Sequence, residues 1–192
     1  MTKRKGGETI SLTLEVSERD HIKGPPTAPV SLVEYGDYGC PYCAQAYLII
    51  TEVQERLGPK LRFVFRNFPV TKLRPLSYEV ALAAEGAASQ NMFWEMYDYL
   101  FKHGQTNTVE NVKQTAGSLG LEMERFNREF HERTHSTHLD EDIESGKSSG
   151  VTKTPTFFIN GDRYDGPWDL DSLLSPLDEA SVFGWRDPTT SV

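Results

Sequence analysis

Two cysteines stand three positions apart in this 192-residue chain, as Cys40-Pro41-Tyr42-Cys43, and the chain has no others. Residues three apart on a helix share a face, with Cβ atoms about 5–6 Å apart. A disulfide wants those atoms nearer, at about 3.5–4.5 Å. The first turn of a helix can therefore close such a bond under strain, and a strained disulfide is easily reduced. The pair suits exchange better than stapling. Position separates the two sulfurs. Cys40, at the start of the helix, is expected to be exposed and to gain thiolate character from unpaired N–H groups and the positive end of the helix dipole. Cys43, one turn in, is expected to be shielded. Cys40 is then the nucleophile, and Cys43 resolves the mixed disulfide.

A zinc half-site is the competing use of such a pair, and it needs two further ligands. His131 and His135 have finger-like spacing, with His138 nearby, but roughly 90 residues separate them from Cys43. They read as surface helix residues, and no metal ligand set is expected. An inert buried pair fits poorly with Pro41 and the flanking glycines.

A second chemical signal is Pro155, which opens an apolar strand-like segment where it cannot donate to a ladder. A cis Thr154–Pro155 bond would bare the Thr154 backbone for pairing with an extended peptide. The plain alternative is a trans proline in a loop.

The elements that must hold these residues can be read from periodicity. Ile10, Leu12, Leu14 and Val16 alternate as in a half-buried strand, which either completes a sheet or reaches another subunit. A Gly- and Pro-rich loop follows, then a buried strand from Val30 to Tyr35 and turn-prone residues up to Gly39. Pro41 suits the first position of a helix that runs to Leu57 and stops at Gly58-Pro59. Leu61 to Arg66 reads as a second strand, completing the β-α-β setting that a redox CxxC requires. From about Leu76 to Gly146 the spacing turns helical, with an aromatic helix at Phe93–Phe101. Its aromatics read as core. Strand character returns at Thr156–Ile159, with an Asn160-Gly161 turn and a short partner around Tyr164. Asp169 can cap a last helix through Leu174. The domains expected are an N-terminal strand and linker (1–28), an α/β domain (29–75 and 147–192), and an inserted helical subdomain (76–146).

Composition narrows the partners. With 38% hydrophobic and 25% charged residues, one globular domain can bury a core. The net charge of −8 argues against nucleic acid. Mean hydropathy of −0.50 and the lack of a long apolar run argue against a membrane span. The basic start with Lys3-Arg4-Lys5 reads as a solvated terminus. It leads into the polar, alternating Glu8–Glu15 rather than an apolar signal segment, so a cytoplasmic location is expected. A periplasmic one applies if a leader has been lost.

Glu34-Tyr-Gly-Asp-Tyr-Gly-Cys-Pro-Tyr-Cys43, Phe93-Trp-Glu-Met96 and Gly150-Val-Thr-Lys-Thr-Pro-Thr-Phe-Phe-Ile-Asn-Gly161 together resemble the DsbA-like thiol–disulfide oxidoreductases. The likeness runs from about Ala28 to Ser175. It implies an α/β, thioredoxin-like fold with a helical insertion, Cys40 attacking, Cys43 resolving, and Pro155 as a cis-proline facing them. Pro41, Tyr42, Thr154 and Pro155 would contact substrate. The resemblance also makes Glu34, six residues before Cys40, a buried acid that takes the proton from Cys43 through water. Alternatively, Glu34 is a strand residue paired with Arg62 or Arg66. One departure is Tyr42, where the best-known members carry a histidine that helps hold the thiolate. Asp37 adds nearby negative charge, so the Cys40 pKa is expected to be depressed, but less than in a strong oxidase.

The implied activity is disulfide exchange with protein or peptide substrates, with no bound cofactor and an external thioredoxin- or glutathione-type partner to reset the pair. The CPYC motif also permits a glutathione-linked enzyme, glutaredoxin-like or transferase-like. A third alternative is a non-catalytic peptide-binding chaperone.

Overall fold

The computed structural model describes residues 10–104 and 107–183, so the Lys3-Arg4-Lys5 cluster and the chain beyond 183 lie outside the described residues. Five strands form one sheet: β1 (His21–Lys23), β2 (Val30–Gly36), β3 (Leu61–Asn67), β4 (Thr156–Ile159) and β5 (Asp162–Tyr164). Their spatial order is β1-β3-β2-β4-β5. Among the described residues only β2 and β3 pair in parallel, joined by helix α1 (Pro41–Leu57); the remaining pairs are antiparallel. Five helices stand between β3 and β4: α2 (Ser77–Ala88), α3 (Phe93–His103), α4 (Val109–Ser118), α5 (Met123–His131) and α6 (Ser136–Ser148). Helix α7 (Leu170–Phe183) follows β5.

The central strand explains the layering. All seven residues of β2 are buried, so both faces of the sheet must be covered. Val30, Leu32, Phe63, Phe65 and Phe157 share a core with Cys43, Ala46 and Ile50 of α1, Tyr97 of α3 and Leu173 of α7. The intervening residues Val33, Tyr35, Val64 and Phe158 point the other way, into a smaller cluster with Phe68 and Val151. Period-two alternation thereby sends Glu34 to the same face as the CxxC helix.

Arg66 is fully buried on the opposite face, yet its donors are met. Its Nε donates to Asp20 at 2.7 Å, and the guanidinium also reaches the Tyr35 hydroxyl and the Leu14 and Glu15 carbonyls. A buried charge is tolerable only with such pairing.

The extended segment over 10–16 departs from the expected strand. It makes an isolated bridge, Ser11 to Asp162, with backbone bonds from Leu12 N to Gly161 O and from Arg163 N to Ile10 O, both 2.8 Å. It then leaves the sheet, because side chains claim its backbone. Ser149 Oγ accepts from Thr13 N, and Arg66 occupies the next two carbonyls. The edge beside β3 belongs instead to β1, which lies in a region expected to be linker. Helix α7 also runs past Leu174, with Pro176 inside it. Proline removes a donor to the carbonyl four residues back. That carbonyl, Ser172 O, lies 2.8 Å from the Tyr164 hydroxyl, whose one proton it shares with the Pro167 carbonyl at 2.6 Å.

Gly146 marks the close approach of α6 to the sheet. A Cβ there would meet Phe68 Cδ2 at 2.7 Å and Tyr35 Cδ1 at 3.0 Å. Alanine in a helix interior gains about 0.5–1 kcal/mol over glycine, while overpacking costs about 1–3 kcal/mol. Gly146→Ala is therefore expected to lower stability by about 1–2 kcal/mol in chemical denaturation. A more stable variant would show that α6 can move away freely.

Candidate active site

The cysteine pair sits at the start of α1, where the chain turns out of the central strand. Cys40 is the residue preceding the helix, in extended conformation (φ −83°, ψ 120°), and Pro41 opens it, where its missing N–H costs nothing. The turn is held from beneath by Asp37. Its Oδ1 accepts from Gly39 N and the Ser77 hydroxyl, each at 2.8 Å, and its Oδ2 accepts from Val70 N at 2.8 Å and Arg74 Nε at 2.9 Å. Asp37 is 2% exposed and directly paired with Arg74. The expected opposition of Asp37 to the Cys40 thiolate is therefore corrected: its charge is spent on four donors. It braces the turn.

Both thiols are free, Cys40 at 4% and Cys43 at 0% exposure. Cys43 is shielded as expected. Cys40 is not exposed, because the Thr154–Pro155 segment covers it: Cys40 Sγ donates to the Thr154 carbonyl at 3.3 Å, across 114 positions of sequence. The Thr154–Pro155 bond is cis. Of the neighbouring residues, Tyr42 is well exposed beside the pair.

The two sulfurs are driven apart electrostatically. The thiol of Cys43, as a donor to the Cys40 thiolate, is the main reason that the Cys40 pKa falls from 9.0 to about 5. Burial opposes this fall, while Thr154 and the backbone N–H groups of Cys43 and Tyr42 add to it. The Thr154 carbonyl suits the thiol form only. Once the proton leaves, the buried Thr154 hydroxyl, otherwise without a hydrogen-bond partner, is the group that can donate to the anion. Cys43 shifts the opposite way, pushed well up chiefly by burial, and then by its bond to Cys40 and the charge of Glu34.

Glu34 lies in this same core, fully buried, with no hydrogen-bond partner for either carboxylate oxygen. Burial, reinforced by the Cys40 charge, raises its pKa from 4.5 to about 8. The arginine pairing considered as its alternative is absent. Arg66 serves Asp20 on the other face, and Arg62 Nη1 donates to the Pro26 carbonyl. Gly36 makes room chiefly for the Phe65 ring, which a Cβ there would meet at 2.8 Å (Cζ) or nearer; Glu34 Oε1 would lie 3.2 Å away.

All seven expected residues thus converge on one end of the sheet: Cys40, Cys43 and Glu34 inside, Pro41 and Tyr42 at the helix start, Thr154 and Pro155 across from it. Two open hollows flank them. One, of about 540 Å³, runs along Gln45, Ile49, Pro155, Tyr164 and Trp168. The other, of about 520 Å³, lies between Pro41, Leu73, Arg74 and Leu76. Asp37, Arg74 and Trp168 were missed as site residues; the short spacing of Asp37 from Cys40 is the only sequence signal for any of them. The expectation for the histidines holds for His131, which is exposed. His135 lies in the turn before α6, partly exposed and bonded to Glu129, and the expectation fails for His138, bonded to buried Glu85.

A family model described as Thioredoxin matches residues 16–179. Among solved structures, BdbD from Bacillus subtilis (oxidised) superposes with a TM-score of 0.81 at 21% identity, covering 92% of this chain and 100% of that one. A thioredoxin-like oxidoreductase from Silicibacter pomeroyi gives 0.74 at 25% identity, covering 85% and 93%. A curated relative from Mycobacterium sp. (strain KMS), named as a Na+/H+ antiporter NhaA, is 41% identical over 178 residues. That is 89% of this chain but only 29% of the relative. This chain thus spans less than a third of the curated relative. Among the described residues, no helix is long and apolar enough to cross a membrane.

Titrating the thiolate ultraviolet absorbance of the reduced protein is expected to show one group ionising near pH 5. Alkylation at that pH is expected to label Cys40 alone. An ordinary thiol titration with both cysteines labelled would contradict the asymmetry.

Proposed function

Because this chain belongs to the thioredoxin family, we propose that it is a thiol–disulfide oxidoreductase acting on protein substrates through the Cys40–Cys43 couple. The observation that carries this reading is the opposed pair of sulfurs, with Cys40 held toward thiolate at about pH 5 beside the Thr154–Pro155 segment.

The Cys40 thiolate attacks one sulfur of a substrate disulfide, forming a mixed disulfide and releasing the substrate's other sulfur as a thiolate. Forming the mixed disulfide removes the Cys40 charge that helps hold a proton on Glu34, and Glu34 in its ionised form takes the proton of Cys43. The resulting Cys43 thiolate attacks the Cys40 sulfur, breaking the mixed disulfide. The second substrate sulfur leaves, and two electrons have passed from the pair to the substrate. Run backwards, the same steps oxidise a dithiol. Pro41 and Tyr42 contact the substrate from the helix side, and Thr154 and Pro155 from the strand side, where an extended peptide can lie. In a reducing cytoplasm the pair runs as a reductase, recharged by an external thioredoxin- or glutathione-type donor.

A second reading concerns the client. Relatives at 41% identity are named as Na+/H+ antiporters and carry the likeness over 29% of their length, which favours a membrane transporter as one class of substrate or partner.

Two variants test the exchange reaction. Cys40→Ser is expected to lose turnover, and Cys43→Ser to accumulate mixed disulfides, whose clients mass spectrometry identifies. A transporter among them supports the second reading. If Cys43→Ser kept full turnover with glutathione as the reductant, the glutathione-linked alternative would replace the proposal. Full activity of Cys40→Ser would favour the chaperone alternative.

Glu34 and Cys40 also leave opposite marks on the stability of the reduced protein. The raised pKa of Glu34 means that stability falls as pH rises from 4.5 to about 8. The depressed pKa of Cys40 means that stability rises with pH from about 5 to 9. The two slopes oppose each other in wild type. Glu34→Gln is expected to expose the rising slope, and to slow turnover by about 10²-fold. Cys40→Ser is expected to expose the falling one. Urea denaturation between pH 5 and 8 reads both; identical slopes in the two variants would remove Glu34 from the site.

A further inference from the structure

Away from the cysteines, three side chains from three elements converge on one point. Glu85 of α2, 3% exposed, accepts from His21 of β1 (Nε2 to Oε1, 2.8 Å) and from His138 of α6 (Nδ1 to Oε2, 2.8 Å). One donor atom from each of the three residues can be chosen so that all lie within 4.8 Å of one another. We propose that His21, Glu85 and His138 form a binding site for a zinc-type divalent cation, which ties the edge strand β1 to helices α2 and α6.

The donor set selects the ion. Two imidazoles and one carboxylate are the ligands of a borderline metal such as Zn²⁺, whereas Ca²⁺ and Mg²⁺ want oxygen alone. A tetrahedral zinc with bonds of about 2.0–2.1 Å holds its donors roughly 3.3 Å apart. Each histidine nitrogen lies 2.8 Å from a different oxygen of Glu85, and one donor atom from each residue fits within 4.8 Å, so the three groups must draw in modestly around a single carboxylate oxygen as the ion replaces the two imidazole protons.

The surroundings supply what a metal site needs behind its ligands. The His21 ring is stacked on Phe93, with centroids 3.4 Å apart. Asn67 Nδ2 donates to Glu85 Oε1 at 2.7 Å and orients the carboxylate. His138 would bind the ion through Nδ1. Its other nitrogen, Nε2, is buried with no hydrogen-bond partner, 4.0 Å from Asp142 Oδ1. Closing that gap completes a carboxylate–histidine–metal arrangement, in which Asp142 sets the tautomer and raises the basicity of the ring. The fourth coordination position faces an open hollow of about 500 Å³, lined by Glu18, Asp20, Ala88, Asn91 and Trp94, through which an ion and its water can enter. Arg19, bonded to Asp142 at 3.2 Å, is the opposing charge nearby, and its pairing with that carboxylate keeps it occupied.

The test uses the oxidised protein, so that Cys40 and Cys43 are joined and cannot hold the metal themselves. Calorimetric titration with ZnCl₂ is expected to show one site per chain and, at a hundredfold excess over the dissociation constant, a thermal midpoint raised by about 5–10 °C. CaCl₂ and MgCl₂ are expected to leave the midpoint unchanged. His138→Ala and His21→Ala are each expected to weaken binding at least tenfold. Should either variant fail to fold, X-ray absorption of the zinc-loaded wild type decides, with imidazole nitrogen and carboxylate oxygen and no sulfur in the first shell. No binding by the oxidised wild type, binding unchanged in both folded variants, or a first shell without imidazole would each overturn the proposal. Exchange activity is read separately, so failure here leaves the Cys40–Cys43 reading untouched.

Discussion

The stabilisation of the Cys40 thiolate by the neighbouring Cys43 thiol is the interaction on which the site depends. It works only because the first turn of α1 sets the two residues on one face and because the turn before it cannot drift. Asp37 fixes that turn with four accepted hydrogen bonds reaching Val70, Arg74 and Ser77, so the loop before the pair is tied to the segment that leads into α2. The Cys40 thiol bond to Thr154 O ties in the other end of the chain. Sequence separation is bridged here by polar contacts, each of which is satisfied.

Against that, Glu34 is a deliberate exception. Both its oxygens are buried without partners, in a region where Tyr38 and Tyr97 also keep unpaired hydroxyls. An unpaired buried carboxyl is costly when ionised, which is why it holds its proton until about pH 8. Strained or unsatisfied groups of this kind concentrate where chemistry is done. The opposite face of the sheet offers the contrast. Arg66, equally buried, has its donors engaged.

Much of this was legible in the sequence because local signals agreed with the fold. Pro41 before a periodic run, Gly58-Pro59 after it, and Asn160-Gly161 between strands each had one sensible structure, and each formed it. The whole buried run of β2 followed from its apolar content, and its alternation explains why Glu34 faces Cys43. What failed was tertiary. The alternation of Ile10 to Val16 suggested a strand, but Ser149, just past α6, and Arg66 took its backbone. The burial of Cys40 depended on Thr154, 114 positions away. Asp37 read as a lone negative charge because nothing local announced Arg74 as its partner. The histidines were weighed against distant cysteines, whereas His138 meets a glutamate and a histidine delivered by α2 and β1.

The Cys40 thiolate stabilises the reduced pair to a degree between that of a reductase and that of a strong oxidase. Equilibrating the Cys40–Cys43 couple with glutathione buffers measures this directly. A thiolate formed near pH 5 places the reduction potential between about −270 and −120 mV, the values for couples whose thiols ionise near 7 and near 3.5. A value outside that interval would contradict the account, and a pair that never equilibrates with glutathione would remove its foundation.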